Sequence, residues 1–535
     1  MSGFQWWHTA VIYQIYPRSF MDGNGDGVGD LAGIISRLDY LQDLGIDAIW
    51  ISPIYPSPMA DFGYDVSDYT DIDPLFGDLA TFDRLLEAIH RRGMRLILDW
   101  VPNHTSDEHP WFIESRASRE NPRRDWYIWK DAKPDGSPPN NWRSFFGGLA
   151  WEWDATTEQY YLHLFDRKQP DLNWRNPEVK ASMFETLRFW MERGVDGFRM
   201  DVVSFIIKDE QFRDNPVEEI VDDDVSDSNP IHREQRHIYD IDRPEVHDVM
   251  REIRAVIDAY PERVSIGEIW TEPLARWAEF FGQNGDELHL PFHFGLLFLP
   301  WQAQPIRVQI EALEAVLPPG AWPSNVLGSH DASRLATRFG PQAVRTAAML
   351  LLTLRGTPVV YMGEEIGMVD GVIPADKIQD PQGINSGAEL SRDPCRTPFQ
   401  WSEVPYAGFS TVEPWLPVAE GYEQRNVAAQ QVDPHSVLNL YKRLLAYRKS
   451  TPALQQGAYH TVTDTPDTCY AYLREYDGQR RLIVLSFADA EQTLSLDAIA
   501  DRGKVAVSSG LDREGEDLDL SRLRLGAHEG LIIEI

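Results

Sequence analysis

The run "RLILDWV", residues 95–101, is apolar almost throughout, lies between a helical pattern and a polar loop, and carries Asp99 near its end. A strand with one wet face would alternate apolar and polar residues. A continuous apolar run reads instead as a strand covered on both faces, the signature of a parallel sheet wrapped by helices. The stretch before it, "LATFDRLLEAIHRRG" (79–93), has helical spacing and a closing glycine. Runs that read as strands recur at 10–16, 48–52, 197–203, 264–268, 287–294, 325–331 and 357–365, again with helices between them. One of those helices is "NPEVKASMFETLRFWMERG", with Asn176 as N-cap, Pro177 as first helical residue and Gly194 as stop. Strand and helix alternating eight times predict an α/β fold, the (β/α)₈ barrel. The polar residues Asp99, Asp201, Glu268 and Asp331 all stand where a run gives way to its loop. In a barrel those ends converge on one face, where active sites are built.

The regular alternation is interrupted after the third run. Residues 104–171 are too many for a simple loop, are rich in Trp, Pro, Gly and Asn ("PDGSPPNNWRSFFGG"), and read as an inserted irregular subdomain. The barrel itself then comprises 1–103 and 172–452, closed by the helix "HSVLNLYKRLLAYRKS" (435–450). Residues 453–535, with "CYAYLREY", "RLIVLSFA" and "GLIIEI" between Asp/Gly turns, predict a C-terminal antiparallel β-sandwich. The acidic segment "DNPVEEIVDDDVSDSNP" (214–230) reads as a solvated loop.

Composition narrows the partners. A charged share of 25% and a hydrophobic share of 43% are those of a globular protein, and 535 residues suffice for several domains. The net charge of −34 argues against nucleic acid or an anionic membrane surface, both of which it would repel. Two cysteines, an N-terminus without a signal pattern and a longest apolar run of only "AAMLLLTL" predict a cytoplasmic protein without a membrane span. The 18 Trp, 20 Tyr and 23 Phe exceed what a core needs and suit a sugar site. A monomer or loose homodimer is expected.

The carboxylates suggest chemistry. Cleaving a glycosidic bond requires one carboxylate facing the anomeric carbon and one protonated acid beside the leaving oxygen. Arg199 and Asp201, two apart on a strand, point into the same face, and the cation is expected to keep Asp201 ionised as a nucleophile. Glu268, in "IGEIW", sits between an apolar run and Trp270, where burial suits a general acid. A retaining enzyme would hold the two about 5–5.5 Å apart.

The motifs "DWVPNH", "QPDLNW", "GFRMDVV", "GEIW" and "GSHDASR", with "FGYDVSDY" and "SRDPCRTPFQW", span nearly the whole chain. With them the sequence resembles glycoside hydrolase family 13, the α-amylase family, and within it the α-glucosidase and oligo-1,6-glucosidase group. The resemblance implies Asp201 as nucleophile, Glu268 as acid/base and Asp331 as third carboxylate. It implies His104 and His330 as hydrogen-bond partners of the first glucose, Arg199 as the residue orienting Asp201, and Phe146 and Phe165 as stacking walls. Asp61, Tyr64 and Arg392 would close the pocket around the non-reducing end, which fits exo-action on short oligosaccharides or disaccharides. Val202, after the nucleophile, tends in this group to accompany α-1,6 bonds, so the reading leans to α-1,6 over α-1,4, with some transglucosylation. Two alternatives share the fold: an α-glucosyltransferase and a sucrose isomerase, although "ASRLATRFG" lacks the charged loop usual in the latter. A non-catalytic relative is a remote third. One departure is "SHD" where "NHD" is common.

The loop "FMDGNGDGVGDL" (20–31) matches the first half of a calcium-loop pattern, but its twelfth position is Gly33 rather than Glu. The resemblance implies one structural Ca²⁺, or Mg²⁺ with water, held by Asp22, Asn24, Asp26, Asp30 and the backbone carbonyl of Val28. The alternative is a glycine-rich turn whose Asp side chains accept backbone N–H bonds. No organic cofactor is expected.

Overall fold

A computed structural model describes residues 4–217 and 235–535. The acidic segment read at 214–230 lies, from 218 on, outside the described residues. The centre of the molecule is an eight-stranded sheet. Its strands are β1 (Ile12–Ile15), β2 (Ala48–Ile51), β3 (Arg95–Trp100), β4 (Gly197–Met200), β5 (Val264–Gly267), β6 (Leu290–Pro291), β7 (Ser324–Val326) and β8 (Thr357–Tyr361). All pairings are parallel, and the neighbours run from β7 and β8 through β1 to β6, which is chain order wrapped once around a nearly closed barrel. At the seam between β6 and β7, Ser324 Oγ donates to the Pro291 carbonyl at 2.9 Å.

Every residue of β1, β2, β4, β5 and β8 is buried, which is why these strands read as largely apolar runs, broken by buried polar residues such as Gln14 and Arg199, rather than as alternation. All eight strands are shorter than their runs, β6 and β7 most of all. The run at 287–294 pairs only at Leu290–Pro291, because Pro291 has no N–H to give a ladder. The run at 325–331 stops pairing at Val326, and its remainder becomes the loop that presents His330 and Asp331. The helices follow their punctuation. Asp78 Oδ1 caps Leu79–Arg91 by accepting from Thr81 N at 2.7 Å. Asn176 Oδ1 caps Pro177–Arg193 by accepting from Glu178 N at 2.8 Å, and Gly194 ends that helix in the left-handed region at φ 111°.

Between β3 and β4 the chain forms a three-stranded antiparallel sheet from Trp129–Lys130, Trp151–Asp154 and Gln159–Leu162. Trp142, Phe145, Trp151 and Leu164 build a core there that also takes in Val202 and Phe205 after β4. That shared core fixes the subdomain against the mouth of the barrel. After the helix Val437–Ser450, a six-stranded sheet running from Ala458 to Glu534 and a two-stranded sheet, Gln492–Leu494 with Leu523–Leu525, are both antiparallel. Leu482, Val484, Leu494, Leu523 and Ile533 pack between them. Among the described residues, no helix is long and apolar enough to cross a membrane. Cys395 and Cys469 are both free and buried.

Candidate active site

Arg199, fully buried on β4, organises the floor of the barrel mouth. Its Nη1 donates to Asp99 Oδ1 and to Asp201 Oδ1, each at 2.8 Å, and its Nη2 donates to Glu268 Oε2. Asp99 comes from the end of β3, Asp201 from the end of β4 and Glu268 from the end of β5. One guanidinium therefore serves three carboxylates in a dry site.

That sharing corrects one expectation. A single cation beside Asp201 should hold its carboxyl down, yet burial pushes Asp201 well above the ordinary carboxylate value. The pull of Arg199 is spread over Asp99 and Glu268 as well, and the charges of those two groups push Asp201 further up. Burial likewise pushes Asp99 up to about 6, against the pull of Arg199.

Val202 is a β-branched residue at φ 36° and ψ 47°, a strained left-handed conformation. The turn aims its N–H at Glu268 Oε2, 3.3 Å away. On the other side, Trp270 Nε1 donates to Glu268 Oε1 at 2.7 Å. The indole stacks on Phe294 with centroids 4.9 Å apart and an interplanar angle of 14°, and Phe298 lies 6.0 Å away. Trp270 remains 38% exposed, so this aromatic face opens to solvent.

The histidines are neutral. Burial pushes His330 and His104 each down to about 3. His330 Nδ1 meets the Gln14 amide nitrogen at 2.7 Å, so the proton resides on Nε2, which faces Asp331 Oδ2 at 3.2 Å and the Tyr64 hydroxyl at 2.8 Å. Tyr64 stacks on His330 at 5.5 Å and donates to Asp99 Oδ2 at 2.9 Å. His104 faces the Tyr64 carbonyl through Nε2 at 3.1 Å, with the Phe165 ring 5.2 Å away.

Ion pairs seal one end. Arg392 Nη2 donates to Asp61 Oδ1 at 2.6 Å and its Nη1 to Asp331 Oδ1 at 3.3 Å, while Arg396 Nη2 donates to the same Asp331 oxygen at 2.8 Å. Asp380 braces Arg392 through Nε at 3.0 Å and Nη2 at 2.6 Å. Phe146 lies under the Arg392 guanidinium, 4.8 Å away. Burial works to raise Asp331, but His330, Arg396, Arg392 and Arg199 together hold it below the ordinary carboxylate range. Burial pushes Asp61 up to about 6, with Arg392 and Arg396 pulling against it. Ser329, the departure from "NHD", accepts the Asp331 N–H through Oγ at 3.1 Å.

The structure thus gathers Asp201, Glu268, Asp331, Arg199, Val202, His104, His330, Tyr64, Asp61, Arg392, Phe146 and Phe165 into one network. Sequence reasoning did not assign Asp99, Arg396 and Asp380 to it. Asp99 had been marked as a strand-end carboxylate, and Arg396 lies four residues beyond Arg392 in a quoted motif. Asp380 lies in an irregular segment with no pattern to mark it.

The loop after β1 lies apart from this network. Asp22 accepts from the N–H groups of Asn24, Gly25 and Gly27 and from Ser410 Oγ at 2.6 Å. Asn24 Oδ1 accepts from Asp26 N, and Asp26 Oδ1 from Val28 N, each at 2.9 Å. Asp30 caps the helix Leu31–Ser36 by accepting from Gly33 N at 2.6 Å. Among the described residues, no group of three or more His, Cys, Asp or Glu side chains converges as a metal site.

Comparison with known proteins bears on the network. The family pattern described as "Alpha amylase, catalytic domain" matches residues 14–457. A "Probable alpha-glucosidase" of Rhizobium meliloti (strain 1021) is 44% identical over 92% of this chain and 91% of its own length. An "Oligo-1,6-glucosidase" of Parageobacillus thermoglucosidasius is 39% identical over 97% of each chain. Among solved structures, an alpha-glucosyl transfer enzyme superposes with a TM-score of 0.93 at 43% identity, covering 99% of this chain and all (100%) of that one. The trehalulose synthase from Pseudomonas mesoacidophila MX-45 superposes with a TM-score of 0.89 at 36% identity, with coverage of 99% and 100%.

Proposed function

The chain belongs to the α-amylase family of glycoside hydrolases, and within that family we propose that it is a retaining, exo-acting α-glucosidase. Its substrates are short oligosaccharides or disaccharides with terminal α-glucosidic bonds, with a lean to α-1,6 over α-1,4. The observation that carries this reading is that one guanidinium, Arg199, donates to both carboxyls, through Nη1 to Asp201 Oδ1 at 2.8 Å and through Nη2 to Glu268 Oε2. Two carboxyls bridged by a single guanidinium fit the closer spacing of retaining pairs, about 5–5.5 Å, better than the roughly 6.5–9.5 Å that inverting pairs need for a water.

Asp201 attacks the anomeric carbon and forms a covalent glucosyl ester as the bond to the leaving oxygen breaks. Glu268 gives its proton to that oxygen. The cationic character of the ring favours the ionised form of Asp201 as it attacks. Glu268 then takes a proton from water, which attacks the ester, or from an acceptor sugar, which gives transglucosylation. Asp331, held ionised, accepts from the ring hydroxyls, and His104 and His330 act as neutral partners of the same glucose. Asp61, Tyr64 and Arg392 end the pocket beyond one glucose, and Phe146 and Phe165 wall it.

The open aromatic face at Trp270 and Phe294 favours the second reading, an α-glucosyltransferase or sucrose isomerase, since it offers an acceptor sugar an apolar seat. Chromatography of the products from isomaltose, maltose, sucrose and trehalose tests both, with Asp201→Asn as control. Expected are glucose as main product, isomaltose cleaved with a higher kcat/KM than maltose, and an activity loss of about 10⁴-fold or more in Asp201→Asn. Isomaltulose or trehalulose as main product from sucrose, or a control variant near wild-type activity, would overturn the main reading. Two free, buried cysteines support a cytoplasmic placement, and we take the protein as a monomer or loose homodimer.

For the loop at 22–30 we propose one structural Ca²⁺, or Mg²⁺ with water, held by Asp22, Asn24, Asp26, Asp30 and the Val28 carbonyl. Mixed carboxylate, amide and carbonyl oxygens suit a hard cation. Burial pushes Asp30 up and the charges of Asp22 and Asp26 add to that, a repulsion a cation would relieve. Chelation is expected to lower Tm and to strip one ion per chain by elemental analysis, with kcat at 25 °C unchanged. Loss of kcat at constant Tm would contradict a structural role.

A further inference from the structure

Glu364, just beyond β8, is 7% exposed, and neither of its carboxyl oxygens has a hydrogen-bond partner. Arg334, three residues beyond Asp331, is 3% exposed and leaves Nε and Nη2 unpartnered, while its Nη1 donates to the Met362 carbonyl at 2.8 Å. Two polar side chains with four unsatisfied atoms between them are costly in a dry interior unless something joins them. Both line the same small cavity, with Gly328, Tyr361, Val344 and Met368. Its volume is about 10 Å³, close to what one water centre occupies.

The cavity lies directly under the loop that carries the third carboxylate. Glu364 Oε1 is packed so tightly on Gly328 that a Cβ there would come within 2.1 Å of it. Gly328, His330, Asp331 and Arg334 belong to one turn, so both walls of the cavity are tied to that turn. The remaining anchors are firm: Arg334 N donates to Asp370 Oδ1 at 2.7 Å, and Arg338 donates to the Leu297, Leu327 and Ser333 carbonyls. On the Glu364 side, Arg334 is held by its Nη1 bond to the Met362 carbonyl, while its Nε and Nη2 and both Glu364 oxygens have no partner.

We propose that a single water bridges the Glu364 carboxyl to the Arg334 guanidinium in this cavity, and that the bridge positions the 328–334 turn presenting Asp331. Burial pushes Glu364 up to about 8, against the pull of Arg338. At neutral pH it can therefore donate to the water as well as accept. Arg334 contributes further donors, so the water has the two to four polar partners that buried waters require. Glu364 and Arg334 are positioning residues, because neither reaches the sugar. The positioning role rests on Asp331 acting as assigned above; the bridge does not.

The test compares Glu364→Leu, Arg334→Met and the double variant in the full chain, by Tm and by kcat per active site on p-nitrophenyl α-glucoside. Each single change strands the other group's polar atoms, whereas the double removes both sets. Each single variant is expected to lose about tenfold in kcat, and the double to return to within about threefold of wild type, with Tm following the same pattern. Glu364→Gln, which keeps partners for the water, is expected to stay within about twofold and serves if the Leu variant does not fold. A high-resolution crystal structure is expected to show the bridging water. Effects that simply add in the double, a Gln variant as slow as Leu, or no density between the two side chains would each overturn the proposal. Coupling in Tm with unchanged kcat would keep the bridge and overturn the positioning role.

Discussion

The two ends of the catalytic pocket are built from opposite materials. At the end where we propose the glucose sits, the buried Asp61, Arg392, Asp380 and Arg396 interlock in an ion-pair network with the more exposed Asp331. At the leaving-group end, Trp270, Phe294 and Phe298 form an aromatic face open to solvent, with one N–H turned to the acid. Buried charges are expensive to desolvate and hold one geometry, so they recognise a fixed pattern of hydroxyls. An aromatic face tolerates many sugars, because it reads apolar ring surface rather than hydroxyl positions. On the proposed reading, the contrast accounts for a single-glucose donor site combined with a choice of acceptors.

The larger effect should come from breaking the closed end. Arg392→Met leaves Asp61 and Asp380 buried beside one fewer cation, and removing one partner of a buried pair costs about 3–5 kcal/mol. We expect kcat/KM on aryl α-glucosides to fall by about 10²-fold or more, together with a lower Tm. The pH profile should move as well. Asp61 stands at about 6 with Arg392 beside it and loses that pull in the variant. In the proposed role the ionised form accepts a sugar hydroxyl, so the acidic limb of kcat/KM is expected to shift to higher pH. A variant with near-normal kcat/KM and an unmoved acidic limb would mean that the network does not shape the donor site.

What the sequence disclosed follows from how local each feature is. Strands buried on both faces announce themselves as apolar runs, and a carboxylate at the end of such a run needs no partner to be noticed. Asp201, Glu268 and Asp331 were legible for that reason, as was the cap at Asn176. The closed end was half legible: Asp61 and Arg392 came with their motifs, but Asp380 and Arg396 join them only through a fold that brings 61, 331, 380 and 392 together. The protonation of Asp201 was misread because sequence shows Arg199 two residues away and not the two other carboxylates that claim it. Nor does an apolar run reveal that Pro291 ends pairing, or that Val202 sits at φ 36° to aim its amide.

The open end should break more gently, and two variants separate its two functions. Trp270→Phe keeps a ring for stacking on Phe294 but deletes the donor to Glu268 Oε1. Trp270→Ala deletes both. If the ring seats the acceptor and the N–H supports the acid, the Phe variant loses about fivefold in kcat with an unchanged ratio of transfer to hydrolysis, since a hydrogen bond to a charged group is worth roughly 1.5–3 kcal/mol at most and water can replace part of it. The Ala variant should show a similar loss in kcat and, in addition, a transfer fraction reduced about threefold to tenfold, the scale of one aromatic contact of about 0.5–1.5 kcal/mol. Chromatography of products at high isomaltose reads that fraction directly. Equal transfer fractions in Ala and wild type would assign acceptor choice to residues other than this face and remove the contrast between the two ends. A Phe variant that changes the fraction while kcat holds would reverse the two roles, making the indole N–H a contact of the acceptor rather than a support of Glu268.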